Sequence, residues 1–232
     1  MELIMQTMRT HPSDLKIQRL GCGAFQKLAL MNENKIKLVA LGGMELTMQI
    51  MQTMRAHLSP PPTCYAFSFC TVGWPDRRFL HGQIFYELVL VLVGDCPQIG
   101  RATDGFVCAA AFGVGDDTCS WAADGVRGKL WHGGEDQEWS VRWRDGDVVG
   151  CAADLESGTL WFGVNGEWSV AFEALSPNWA AGLFPAISGM DMAFTVNETP
   201  RFGGPALNFR SFALGKSPPL LTNHDGTLYV TA

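Results

Sequence analysis

The spacing of apolar residues changes near residue 60. Before it, Ile17, Leu20, Ala24 and Leu28 recur at three- and four-residue intervals, the period of an amphipathic helix. After it, short apolar runs at 84–93, 98–102, 119–123, 148–153, 159–164, 183–187 and 192–196 stand between Gly-, Asp- and Asn-rich turns, which predicts strands. The stretch 145–172 is the most explicit. Val148, Val149, Cys151 and Ala153 form one run, Leu155-Glu156-Ser157-Gly158 turns it, and 159–164 returns. Asn165-Gly166 then reverses the chain into 168–172. An Asn-Gly pair between two apolar runs signals a hairpin, because both central residues of a type I′ turn need positive φ. The pattern predicts a helical segment over 1–58, a Ser59-Pro60-Pro61-Pro62 linker, an all-β two-sheet sandwich over 63–214 and a tail over 215–232.

Composition narrows the function classes. A chain of 232 residues, 47% hydrophobic and 17% charged, has enough apolar side chains for a sizeable core. The net charge of −6 is uneven: residues 1–58 carry +3, which leaves −9 on the remainder. An acidic β region argues against nucleic acid, whose phosphates need Lys/Arg clusters. Seven cysteines without a C-x-x-C pair argue against a disulfide framework and a zinc site, so no metal and no cofactor is expected. The N-terminus is too polar for a signal peptide, and no apolar run approaches the ~20 residues of a membrane helix. A reducing cytoplasmic or nuclear compartment and no membrane insertion are expected.

The helical segment contains an echo of itself. Met1-Glu2-Leu3 recurs as Met44-Glu45-Leu46, and 4–9 recurs as 50–55. His11-Pro12-Ser13-Asp14 ends one helix and caps the next, while a final helix is expected over 44–57. A period of about 40–47 residues suits stacked helical repeats, and 11–46 resembles an armadillo repeat. In that resemblance Gly21 and Gly23 let neighbouring helices approach. It covers roughly one and a third repeats where stacked arrays need about three, so further armadillo repeats in a longer chain are expected. The Asn ladder by which such repeats hold peptides has no counterpart in 44–57.

The β region resembles the SPRY domain, especially the SPRY modules of ryanodine receptors. The matching segments, in order, are Gly82-Gln83-Ile84-Phe85-Tyr86-Glu87-Leu88, Gln98-Ile99-Gly100-Arg101-Ala102, 115–125 (GDDTCSWAADG), 129–134 (KLWHGG), Gly146-Asp147-Val148-Val149-Gly150-Cys151 with Asp154, and Phe184-Pro185-Ala186-Ile187-Ser188. Arg101 stands where the family usually has Trp. The resemblance implies a concanavalin A-like sandwich of two antiparallel sheets, used for protein interaction through loops at one edge. Carried onto this chain, that face consists of Asp76 and Arg77, then Asp104, Phe106 and Phe112, and finally Gly189, Met190 and Asp191. Phe106, Phe112 and Met190 are expected as exposed anchors, with Arg77, Asp104 and Asp191 supplying polar selectivity.

Other chemistries fit less well. Trp121, Trp131, Trp139, Trp143 and Trp161 suit a sandwich core better than a sugar platform, and Trp168 is the one expected to be exposed. Asp116-Asp117 reads as a turn that caps its own backbone. An EF-hand over 145–156 fails because position 5 is Val149. Leu214-Gly215-Lys216-Ser217 is followed by Pro218-Pro219, which forbids the helix of a phosphate loop. No paired-histidine metal motif or nucleophile elbow is present. Sandwich glycosidases carry E-x-D-x-E on one strand; Glu135-Asp136-Gln137-Glu138 stands here instead and reads as a Gly-rich polar loop, which offers no paired carboxylates on one rigid face. The sequence therefore points to a non-catalytic adaptor that binds a short segment of a partner protein, as a piece of a larger scaffold or ubiquitin-ligase-type protein. A carbohydrate-binding or glycan-cleaving domain is the alternative.

Overall fold

The structure, a computed structural model, describes residues 1–12, 14–28, 31–43, 45–46, 63–66, 69–109, 112–173, 179, 181–197, 199–211, 214 and 228–230. Residues 1–60 and 61–230 form two compact units. Of the helix expected over 44–57, only 45–46 fall among the described residues.

The first unit holds α1 (Glu2–Thr10), α2 (Leu15–Leu28) and α3 (Asn32–Ala40). Asp14 Oδ1 accepts the backbone N–H of Ile17 at 3.0 Å, capping the start of α2 as expected. Met8 lies against Gly21, where an added Cβ would sit 2.2 Å from its sulfur, so this glycine permits close helix approach. Gln18, buried on the same face, donates to the carbonyls of Met8 and His11 at 2.8 and 2.7 Å. The buried face of α2 is thus Gln18, Gly21 and Phe25, and Leu20 of the apolar stripe is 59% exposed.

The second unit is a sandwich. Its strands are β1 (Thr63–Ala66), β2 (Cys70–Gly73), β3 (Gln83–Leu92), β4 (Asp95–Ala102), β5 (Ser120–Asp124), β6 (Lys129–His132), β7 (Glu135–Glu138), β8 (Val148–Asp154), β9 (Thr159–Val164), β10 (Glu167–Phe172), β11 (Phe184–Met190), β12 (Met192–Val196), β13 (Arg210–Ser211) and β14 (Leu228–Val230). One sheet runs β10-β9-β8-β3-β12-β1-β14, with β13 beside β3; the other runs β2-β11-β4-β5-β6-β7. Every pairing is antiparallel except β13 with β3. Mainly β, with two antiparallel sheets and short N-terminal helices, is the fold class expected.

Between the sheets lie Tyr86, Leu88 and Leu90 of β3, Ile99 of β4, Val149 and Cys151 of β8, Phe162 of β9 and Ile187 of β11. Each fully buried Leu, Ile or Phe contributes about 1.5–3 kcal/mol. The Asn165-Gly166 turn has positive φ at both residues, +52° and +88°, as a type I′ hairpin requires. Two stretches contradict what the sequence predicted for them. Residues 135–138 are an edge strand, with Lys129 of β6 paired to Asp136 and Glu138. Residues 228–230, read as tail, pair with β1. Arg101 lies wholly inside the core.

Candidate functional site

The expected interaction face begins where β2 ends. Trp74 is buried and its N–H donates to Pro185 O at 3.0 Å, which anchors the following turn to β11. Pro75, with φ preset for helix, opens the one-turn 3-10 helix Pro75–Arg77. Beyond it Phe79 exchanges backbone hydrogen bonds with Leu183 at 2.9–3.0 Å. Asp76 and Arg77 are therefore exposed side chains on a backbone tied down on both sides.

Asp104 lies in the long connection between β4 and β5. Its carboxylate pairs with the guanidinium of Arg78, joining the two loops. Arg78, which the sequence reading did not single out, is the partner. Thr103 N–H donates to Cys119 O at 2.9 Å, closing the base of the connection. Inside it, Asp117 accepts from the N–H groups of Cys119 and Val107 and from Ser120 Oγ. Asp116 accepts from Gly113 N–H and Gln98 Nε2. Both carboxylates are spent on shaping the loop, as the turn-capping reading expected. No group of metal-binding side chains occurs among the described residues.

The expected anchors separate. Phe112 is 54% exposed. Phe106 is half-buried instead, packed on Ala102, Val114, Ala122, Phe184 and Ala186, because the connection folds back over the outer face of the smaller sheet. Two exposed apolar residues that the sequence reading did not single out lie in the same loops, Leu80 (62%) and Val107 (72%). Their residue types are those of core positions, so only the fold distinguishes them.

Gly189, Met190 and Asp191 do not form a loop beside the others. Gly189 and Met190 complete β11, and Asp191 alone, with φ +50°, carries the chain across to β12 in the opposite sheet. Asp191 and Gly189 are buried, and Met190 is half-buried. Phe184 pairs with Ala102 at one end of β11, while Met190 pairs with Asp95 at the other. These three residues thus sit at the opposite end of β11 from Asp104. A one-residue crossover leaves no slack for a projecting loop.

The aromatic residues follow the packing expectation in part. Trp121, Trp139 and Trp143 are buried, and Trp131 and Trp161 are half-buried. Trp168 is half-buried rather than free. Its ring covers Gly150 and Gly163, where an added Cβ would lie 2.4 and 2.7 Å away, and its Nε1 donates to Gly203 O at 2.9 Å. Burial pushes the Cys70 thiol up to about 11, with nearby Cys108 adding to the effect, and burial likewise raises Cys151. Neither is a ready nucleophile.

A comparison with protein-family models matches residues 70–201 to the SPRY domain. The chain belongs to the SPRY domain family. That match begins after the helical unit, and the armadillo resemblance of 1–58 finds no support in the comparisons. Among curated proteins, the E3 ubiquitin-protein ligase RKP of Arabidopsis thaliana is 36% identical over 135 residues, 56% of this chain. The chain spans only 10% of that relative's length. The crystal structure of the SPRY domain of human HERC1 is 21% identical, covering 53% of this chain and 79% of that one with a TM-score of 0.45. SPRY domains are protein-interaction domains, and among the described residues no helix is long and apolar enough to cross a membrane.

Proposed function

We propose that the SPRY unit is a non-catalytic module that captures a short segment of a partner protein on the loops 75–82 and 103–112. The observation that carries this reading is the Arg78–Asp104 ion pair, which joins two loops bearing exposed Leu80, Val107 and Phe112 beside Asp76 and Arg77. Loops held on a rigid scaffold present a fixed surface, so little ordering cost is left to binding. Apolar anchors next to charges provide affinity and selectivity together. The likeness to part of a ubiquitin-protein ligase supports a place in a larger ligase-type or scaffold protein of the cytoplasm or nucleus, where this module would recruit a partner.

Affinity capture from cell extract tests the reading. The chain should retain a partner that an Asp76→Lys/Arg77→Glu/Phe112→Ser variant retains about tenfold less, a difference of roughly 1.4 kcal/mol. If both proteins captured the same set equally, this face would not be the binding face.

A further inference from the structure

Residues 200–211 run as a strap against the outer face of the larger sheet, and all but the first two lie beyond the stretch that matches the SPRY family. Glu87, an outward residue of β3 buried beneath the strap, accepts the N–H groups of Arg201 and Phe202 at 2.7 and 3.0 Å. Phe209 packs edge-on to Trp161 with ring centroids 5.3 Å apart, and Phe202 lies over Gly166. Arg210 and Ser211 then pair with Ile84 and Phe85.

Strap and sheet enclose an open groove of ≈ 540 Å³. Its floor is Phe85, and its sides are Pro200, Phe202, Pro205, Leu207 and Phe209. Leu207 is wholly exposed and Phe202 is 39% exposed. Apolar side chains gathered around one groove can receive an apolar side chain of a partner.

The charge around the groove is opposite to that of the unit. Residues 199–211 contain two cations, Arg201 and Arg210, and no acidic residue, within a region whose net charge is −9. Neither arginine is ion-paired among the described residues. The carboxylate of Glu87 is already engaged by two backbone amides. Both arginines are exposed and each is next in sequence to two residues that line the groove, so a carboxylate at its edge can meet a guanidinium, which binds it in a planar, bidentate manner.

We infer that this groove is a docking site for a partner peptide that presents a large apolar side chain next to carboxylates. The apolar side chain enters between Phe202, Leu207 and Phe209, and the carboxylates meet Arg201 and Arg210. This surface shares no lining residue with the loops 75–82 and 103–112, so it stands whether or not those loops bind a partner.

Selection of a random peptide display library on the full chain tests this. Enriched peptides should combine Asp or Glu with Leu, Phe or Trp. A synthetic copy of one should lose about tenfold or more in affinity with Arg201→Glu/Arg210→Glu or with Leu207→Ser. The same peptide should bind unchanged to the Asp76→Lys/Arg77→Glu variant. The altered side chains are exposed, and near-ultraviolet circular dichroism checks that each variant is folded. Enriched peptides that are neutral or basic, or indifferent to the strap substitutions, would overturn the inference. So would binding of phosphatidylserine vesicles that depends on Arg201 and Arg210 without any peptide enrichment, because it would assign the patch to a membrane surface.

Discussion

Arg101 Nη2 donates to the carbonyl oxygen of Cys151 at 3.2 Å, so a charged residue of one sheet reaches the backbone of the other through the middle of the core. The guanidinium carbon lies 5.1 Å from the centroid of the Tyr86 ring, and Tyr86 Oη donates to Gly100 O at 2.7 Å. Burial raises both the Tyr86 hydroxyl and the Cys151 thiol, while the cation of Arg101 pulls each back. Arginine fills a position where the SPRY pattern usually has tryptophan, combining a long apolar stem with a planar head.

Replacing this residue separates volume from charge. Arg101→Ala removes most of the side chain from a closed core and should cost about 2–5 kcal/mol, the range for large-to-small core substitutions. Arg101→Met keeps much of the volume and removes the desolvated charge, so it should be less destabilising by at least about 1 kcal/mol. Urea unfolding of both variants measures the difference. Equal stability of both with the original protein would mean that Arg101 does not occupy the core.

Gly150 and Gly163 should tolerate no side chain. A Cβ at Gly150 would stand 2.4 Å from the edge of the Trp168 ring, which is rigid and held by its bond to Gly203 O. Gly150→Ala should cost roughly 1–3 kcal/mol as an overpacking substitution. It should also shift Trp168 fluorescence toward that of an exposed indole. Gly146→Ala is a poor control because φ is +90° there; Gly203, with open space around its Cβ, is the suitable one.

Glu87→Ala should release the strap without dissolving the sheet. Hydrogen bonds to a charged acceptor contribute about 1.5–3 kcal/mol each when buried. Hydrogen exchange should accelerate at the Arg201 and Phe202 amides while β8 and β9 remain protected. Unchanged exchange at those two amides would show that other contacts hold the strap.

Asp154 should make stability depend on acid. Burial alone would raise its carboxyl, but hydrogen bonds from Gln83 Nε2 and from the N–H groups of Ser157 and Glu156 outweigh it and hold the group below its ordinary value. A carboxyl lowered on folding stabilises the native state above its unfolded pKa of about 3.9. That contribution disappears as pH falls through the lower, folded value. The Tm advantage over Asp154→Asn should therefore be full at neutral pH and shrink below about pH 4. A Tm difference that did not change with pH would contradict the assignment.

Much of the fold was legible because its signals are local. The runs 159–164 and 192–196 coincide with β9 and β12, and the Asn165-Gly166 turn adopts the backbone its residues demand. Residues 135–138 escaped because an edge strand with four exposed polar side chains has no apolar alternation; backbone pairing to β6 and the Lys129 ion pairs define it. Of the residues assigned to the expected face, Asp76, Arg77, Asp104 and Phe112 are exposed, whereas Gly189, Met190 and Asp191 belong to β11 and its crossing to β12. Nothing in Gly189-Met190-Asp191 distinguishes a projecting loop from a one-residue crossing between sheets.

The sequence alone determined the strands that carry apolar runs, the Asn165-Gly166 turn and the SPRY family, since alternation, turn chemistry and ordered motifs depend on neighbours within a few residues. Tertiary structure decided which of those residues meet. It half-buried Phe106, drew Asp191 into the crossover, seated Arg101 in the core, and laid residues 200–211 beside Phe85. Those outcomes depend on how two sheets close on each other, and side chains distant along the chain share that space only after closure.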